Sequence, residues 1–193
     1  MALKLHTIIC STRPGRLGPA VARWFHGVVG EHGKFDGALV DLATFELPIF
    51  DEPHHPIMQK YQHEHTKRWS ASVSAADAFA FVTPEYNYGP TPALVNALDY
   101  LYREWNYKPC CFVSYGGAAG GVRGVQMTKL QVTAVKMMPM AEGVGIGPLA
   151  QMIDGSGAFM PNEPIAKAAT AMLEELHRWA VVLAPMRATR RDG

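Results

Sequence analysis

The chain has 193 residues, 48% of them hydrophobic and 18% charged, with a formal net charge of +1. That length suits one domain with a sizeable core. The body stays near neutral without Arg187, Arg190, Arg191 and Asp192, so it lacks the basic footprint of a nucleic-acid binder. No apolar run approaches the ~20 residues of a membrane span, and Lys4, His6, Arg13 and Arg16 interrupt any signal-peptide core. Cys10, Cys110 and Cys111 sit in or at the end of apolar runs without spaced pairs. They read as buried free thiols of a reducing cytoplasm rather than disulfides or zinc ligands.

The elements alternate along the chain. Leu3 to Cys10 is a first apolar strand, and Ser11-Thr12-Arg13-Pro14-Gly15-Arg16 follows as a polar loop. Leu17, Val21, Trp24, Phe25 and Val28 recur at helical spacing, which predicts a helix over about 17–29 ended by Gly30 and Gly33. Ala38 to Leu42 is a short second strand. Thr44 to Gln59, rich in proline and histidine, predicts an irregular segment. Trp69 and Val73, one turn apart, place a helix over about Glu64 to Ala75. Ala78-Phe79-Ala80-Phe81-Val82 is a continuous apolar run, as expected of a strand covered on both faces. After it, Thr91 can cap and Pro92 can open a long helix with Leu94, Leu98, Leu101 and Trp105 on one face.

Cys110 to Ser114 is the fourth strand. The next helix runs to about Met137, with Val122, Val125, Leu130 and Ala134 expected to face inward. Met138 to Ile146 is a fifth strand, weakened by its glycines. Gly147 to Gly157 is loop. Pro164 opens a last helix whose face is Ile165, Ala169, Met172, Leu176, Ala180 and Leu183. Strands alternating with helices predict a doubly wound parallel sheet with right-handed crossovers, in one domain over 1–193 with a flexible basic tail from about 186.

In a five-stranded sheet of order 2-1-3-4-5, strands one, three and four are neighbours, and ligands bind outside their carboxyl ends. The three loops there differ in chemistry. Ser11 to Gly18 offers hydroxyls, two guanidinium groups and a helix N-terminus, a combination suited to a phosphate. It carries neither a Walker sequence nor the GxGxxG fingerprint. Thr83 to Gly89 holds Pro84, Tyr86, Asn87 and Tyr88, a stiff edge for a planar polar ring. Tyr115 to Gly121 exposes glycine backbone that a flat ligand can approach closely. A ligand with one phosphate and a planar ring, such as FMN, fits all three.

Ser11-Thr12-Arg13-Pro14-Gly15-Arg16, Thr83-Pro84-Glu85-Tyr86-Asn87-Tyr88-Gly89 and Ser114-Tyr115-Gly116-Gly117 resemble the motifs of the NAD(P)H-dependent FMN reductase family. This is the flavodoxin-like group that includes small quinone, azo and chromate reductases. The resemblance covers nearly the whole chain, with Cys10 where many members have glycine and Gly18-Pro19 where many have serine and asparagine. It implies a three-layer flavodoxin-like sandwich. It implies that Ser11, Arg13, Arg16 and the amides near Leu17 and Gly18 hold the FMN phosphate. Pro84, Glu85, Tyr86 and Asn87 would line the isoalloxazine, and Gly116 and Gly117 would meet its pyrimidine side, with Ser114 and Tyr115 completing the third motif.

Other constellations read as structure. His54, His55, His63 and His65 with Asp51, Glu52 and Glu64 lie in the irregular segment and read as a solvated loop rather than a metal site. By analogy with the family, that segment approaches a partner subunit. Ser11, His6 and Asp41 form no hydrolase triad, since no GxSxG elbow is present. Glu85 is the one acid of the central loop, and flavin chemistry needs no general base from it. Met137, Met138 and Met140 read as core filler.

The expected function is an FMN-dependent oxidoreductase that passes electrons from NADPH or NADH to a small acceptor by a ping-pong route. The alternative is a flavodoxin-type electron carrier or FMN-bound redox sensor. Tyr86, Tyr88, Tyr100, Tyr102 and Tyr107 are expected to leave an aromatic surface, which predicts a homodimer or a dimer of dimers.

Overall fold

The computed structural model describes residues 2–188. In chain order it contains β1 (Leu3–Ile9), α1 (Gly18–His32), β2 (Phe35–Asp41), α2 (Glu64–Ala75), β3 (Ala78–Pro84) and α3 (Pro92–Asp99). β4 (Pro109–Tyr115), α4 (Val122–Ala134), β5 (Met138–Ile146) and α5 (Glu163–Ala188) follow. The strands form one parallel sheet of order β2-β1-β3-β4-β5, the flavodoxin-like order expected. Ile9 pairs with Val82, Val82 with Val113 and Val113 with Val144. The carboxyl ends of four strands therefore stop at one level, and the loops that leave them share one edge.

The two faces of the sheet are built differently. On β3, Ala78, Ala80 and Val82 face α1 and α5, whereas Phe79 and Phe81 face α2, α3 and α4. Alternation along a strand produces this division. On the second face Phe81 stacks on Phe79 and Phe112 at centroid distances of 5.9 and 5.6 Å, and Trp105 meets Phe79 edge-on at 5.0 Å. Each fully buried Phe contributes roughly 1.5–3 kcal/mol. The glycines that weakened β5 as a sequence reading mark an irregularity. Its register against β4 slips between Cys110 and Phe112, so that Gly143 pairs with Phe112.

Three expectations need correction. The helix after Thr91 stops at Asp99, and a short 3₁₀ turn, Arg103–Trp105, follows. The Asn106 side chain donates to the Tyr102 carbonyl at 2.6 Å, satisfying it outside any helical ladder. Leu94, Leu98, Leu101 and Trp105 are nevertheless all buried in one cluster. On α4, Leu130 and Val122 face outward, and the buried stripe is Gly124, Val125, Thr128 and Val132. Gly124 and Thr128 lie in that stripe, a pattern that hydropathy hides. Finally, α5 continues through the first residues of the expected tail. Arg187 donates to the Tyr107 carbonyl and pairs with Asp77 at 3.0 Å. The rest of that tail, 189–193, lies outside the described residues.

The histidine-rich segment keeps Asp51, His54, His55 and Glu64 exposed, as expected of a solvated loop, and is tied down at a few points. Glu52 is buried and accepts the N–H groups of Gln62 and His63 at 2.8 and 3.0 Å. Asp51 accepts the Tyr100 hydroxyl at 2.8 Å and lies 3.1 Å from His65 Nε2. Tyr100 is thus fully buried and leaves the expected aromatic surface; Tyr86, Tyr102 and Tyr107 are half-buried, and Tyr88 is exposed. Met137 and Met140 fill the core, while Met138 is partly exposed. Among the described residues no helix is long and apolar enough to cross a membrane.

Candidate functional site

The loop after β1 turns through Gly15 at φ 69° and enters α1 at Gly18. Leu17 occupies the cap position, and among the described residues no side chain caps the first N–H groups of this 15-residue helix. Those donors and the positive end of the helix dipole favour an anion. Arg13 is exposed, its only hydrogen bond among the described residues runs to the neighbouring Pro14 carbonyl, and it has no acidic partner there. Arg16 is engaged differently. Its guanidinium makes a two-pronged pair with Asp41 at the end of β2, both arms at 2.6 Å, and also bonds the Ser11 carbonyl. Arg16 thus clamps the loop to the end of β2 and also lines the cleft, with three of its five N–H donors engaged by Asp41 and the Ser11 carbonyl.

Tyr115 reaches across from the end of β4 and donates from its hydroxyl to Ser11 Oγ at 3.2 Å. Both residues are buried, and burial raises the Tyr115 phenol above its ordinary range. Gly18 is packed beneath this pair: a Cβ there would lie 2.5 Å from both hydroxyl oxygens. Cys10, immediately below, is held well above its ordinary pKa by burial and by the charge of Asp41, which keeps it an inert thiol.

After β3 the chain makes a tight two-residue turn. Tyr86 and Gly89 exchange backbone hydrogen bonds, with Asn87 and Tyr88 at φ 51° and 67°. Two positive φ values in sequence match a type I′ turn, for which Asn is well suited. Thr91 closes the segment. Its hydroxyl donates to the Cys10 carbonyl at 2.8 Å and accepts the Leu94 N–H at 3.1 Å, so one side chain caps α3 and joins two loops. Beyond β4, Gly116 and Gly117 present bare backbone, and a Cβ on Gly117 would meet nothing within 4 Å.

The three loops enclose a cleft of about 250 Å³ lined by Ser11, Arg13, Arg16, Leu17, Pro84, Glu85, Tyr86, Tyr115 and Gly116, together with Leu149 and Ala150. The last two come from a 3₁₀ turn after β5. The loop from Gly147 to Gly157 was expected, but not its place in the site, although a 2-1-3-4-5 order already sets the exit of β5 beside that of β4. Four expected residues do not line the cleft. Asn87 sits exposed in the turn. Gly18 is buried beneath Ser11, and Gly117 lies just outside. Ser114 points through the sheet away from Tyr115, its hydroxyl donating to the Gly120 carbonyl at 2.7 Å. A larger groove of about 720 Å³ lies between the β2 exit and α3, lined by Thr12, Leu47, Ile49, Pro90, Ala93 and Asp99 among others. It has no cation among its lining residues, so the anion chemistry belongs to the smaller cleft.

Residues 3–150 match the model of the NADPH-dependent FMN reductases. The chain belongs to that family. Over 124 residues it is 49% identical to an NAD(P)H-dependent FMN reductase of Schizosaccharomyces pombe, a match spanning 61% of this chain and 60% of that protein's length. Over 157 residues it is 36% identical to an NAD(P)H-dependent FMN reductase of a Nectria species, covering 74% of this chain and 78% of the relative. The fold is similar to that of FerB, a flavoenzyme NAD(P)H:(acceptor) oxidoreductase of Paracoccus denitrificans. The TM-score there is 0.75 at 18% identity, with 93% of this chain and 98% of FerB covered. The family is one of FMN-using oxidoreductases. The residues present fit that cofactor: Arg13, without an acidic partner among the described residues, and the α1 N–H groups stand at one end of the cleft, and Gly116 lines the other, with open space over Gly117 just beyond it.

Proposed function

We propose that this protein binds FMN in the three-loop cleft and passes electrons from NADPH or NADH to a small acceptor such as a quinone, an azo compound, a metal oxyanion or free flavin. The observation that carries the reading is the convergence of Arg13 and the α1 N-terminus with the bare Gly116–Gly117 backbone at one sheet edge. The chemistry supplied with FMN in place is hydride acceptance from NAD(P)H and two-electron delivery to the acceptor. The chain's part is binding and orientation. Arg13, the Ser11 hydroxyl and the first N–H groups of α1 hold the phosphate. Pro84, Glu85, Tyr86 and Asn87 border the ring, Gly116 and Gly117 receive its pyrimidine side, and Leu149 and Ala150 close the wall. Donor and acceptor use one cleft in turn, which makes the kinetics ping-pong.

The enzyme works in the cytoplasm as a homodimer or dimer of dimers. Three buried free cysteines support the first statement. Ile49, 91% exposed in the lining of the larger groove, and the exposed Ile57 and Met58 support the second. The decisive experiment uses purified protein. It should be yellow or become so with FMN, bleach when NADPH is added without oxygen, and recover its colour with a quinone alone. Protein that stays yellow under NADPH is an electron carrier, and protein that never takes up FMN overturns the reading.

A further inference from the structure

We infer that Glu85 is a positioning residue that locks the ring-edge loop to the N-terminus of α4, so that the loops after β3 and β4 hold the flavin as one rigid frame. This rests on the proposed FMN site and assigns Glu85 neither a general-base role nor a side-chain contact to the ring. Helix α4 starts after Gly121, which has φ 80° and no side chain to cap it. The cap comes instead from 38 residues earlier. Glu85 Oε2 accepts the Arg123 and Gly124 N–H groups at 2.9 and 3.0 Å, and Oε1 accepts Arg123 Nη1 at 3.1 Å. The Glu85 N–H donates to the Tyr115 carbonyl at 3.1 Å, tying the same residue to the end of β4.

Two further contacts make the joint rigid. The Arg123 guanidinium lies over the Tyr88 ring at 4.1 Å, so one arginine holds both Glu85 and the turn. Gly124 lies so close to the turn that a Cβ there would be 2.8 Å from the Gly89 carbonyl oxygen, a backbone atom with little room to move. The stem of Glu85 meanwhile lies 3.9 Å from where a Gly116 Cβ would stand. The carboxylate is thereby consumed by α4, and its negative charge stays fixed beside the ring-side glycines.

The test compares Glu85→Ala, Glu85→Gln and Gly124→Ala with the native protein. Three readouts are taken: FMN dissociation constant by fluorescence titration, midpoint potential of the bound flavin, and hydrogen exchange of the cofactor-free proteins. Glu85→Ala should weaken FMN by about tenfold or more, the loss expected of charge-assisted bonds, and should release the Arg123 and Gly124 amides to exchange. Gly124→Ala should weaken FMN in the same way without touching any charge. Glu85→Gln keeps an acceptor and should retain FMN within about threefold of native affinity. Its potential should still rise, because a lost negative charge favours the more anionic reduced form; tenfold tighter relative binding of that form corresponds to about 30 mV for a two-electron couple. Native FMN affinity and potential in both Glu85→Ala and Gly124→Ala would overturn the inference, as would a Glu85→Gln protein with unchanged potential. Should Glu85→Ala fail to fold, Glu85→Gln and Gly124→Ala decide. If the native protein binds no FMN, the functional reading fails separately, and amide exchange in the cofactor-free variants still judges the lock.

Discussion

Gly18→Ala tests the packing beneath the phosphate loop. The added methyl would stand 2.5 Å from both Ser11 Oγ and Tyr115 Oη, inside any real contact distance, and both neighbours are buried. Forcing a methyl into such a space costs about 1–3 kcal/mol. Parting the Tyr115–Ser11 hydrogen bond adds about 0.5–1.5 kcal/mol. Against these stands the gain of about 0.5–1 kcal/mol from replacing glycine in a helix. The net loss is roughly 1–3 kcal/mol, and at about 2–4 °C per kcal/mol for a chain of this size the cofactor-free protein should melt roughly 2–12 °C lower. Gly117→Ala is the matched control. No heavy atom lies within 4 Å of its Cβ, so the cofactor-free melting temperature should hold, while FMN affinity should fall if the ring lies over Gly117 as proposed. Differential scanning calorimetry and FMN titration on both variants check the pair. A Gly18→Ala protein that melts at or above the native temperature would refute the packing argument.

Three other outcomes are expected. Arg13→Ala should leave the melting temperature unchanged and weaken FMN by roughly 1.5–3 kcal/mol, the worth of a charge-assisted bond, as read by titration. Asp41→Asn should act on the fold itself: Arg16 then loses its partly buried partner, and the cofactor-free protein weakens by roughly 1 kcal/mol in urea. Lys108 supplies a pH dependence. Burial, then the charge of Arg187, pulls its ammonium down to about 7 against Asp77 and Glu104, while its Nζ donates to the Val73 carbonyl at 2.7 Å. The folded pKa lies below the unfolded one, so the unfolded chain binds more protons, and stability is lost as pH falls from about 10.5 toward 7. Lys108→Met should flatten that slope, at most roughly 1.4 kcal/mol per pH unit, in urea titrations between pH 7 and 9.5. Equal slopes in the two proteins would discard the assignment.

What the sequence determined by itself was the order of strands and the three loops. Short uninterrupted apolar runs rich in aromatic and β-branched residues, such as Ala78 to Val82, suit strands covered on both faces, and their alternation with helices leaves few topologies. Loop chemistry was equally local: arginine, hydroxyl and glycine side by side need no distant partner to be read. Tertiary structure decided everything that depends on who meets whom. Arg13 and Arg16 look alike in sequence, yet only Arg16 finds Asp41, from the end of the neighbouring strand. Ser114 and Tyr115 are adjacent, and strand alternation sends one through the sheet and the other to Ser11. The α4 stripe of Gly124, Val125, Thr128 and Val132 is half non-apolar, so hydropathy could not find it. Glu85, read along the chain as a loop acid, becomes a helix cap because the fold sets it opposite amides 38 and 39 residues away. Local patterns fix which backbone conformations are cheap, whereas the partner of a buried charge or hydroxyl is chosen only when the loops close on one another.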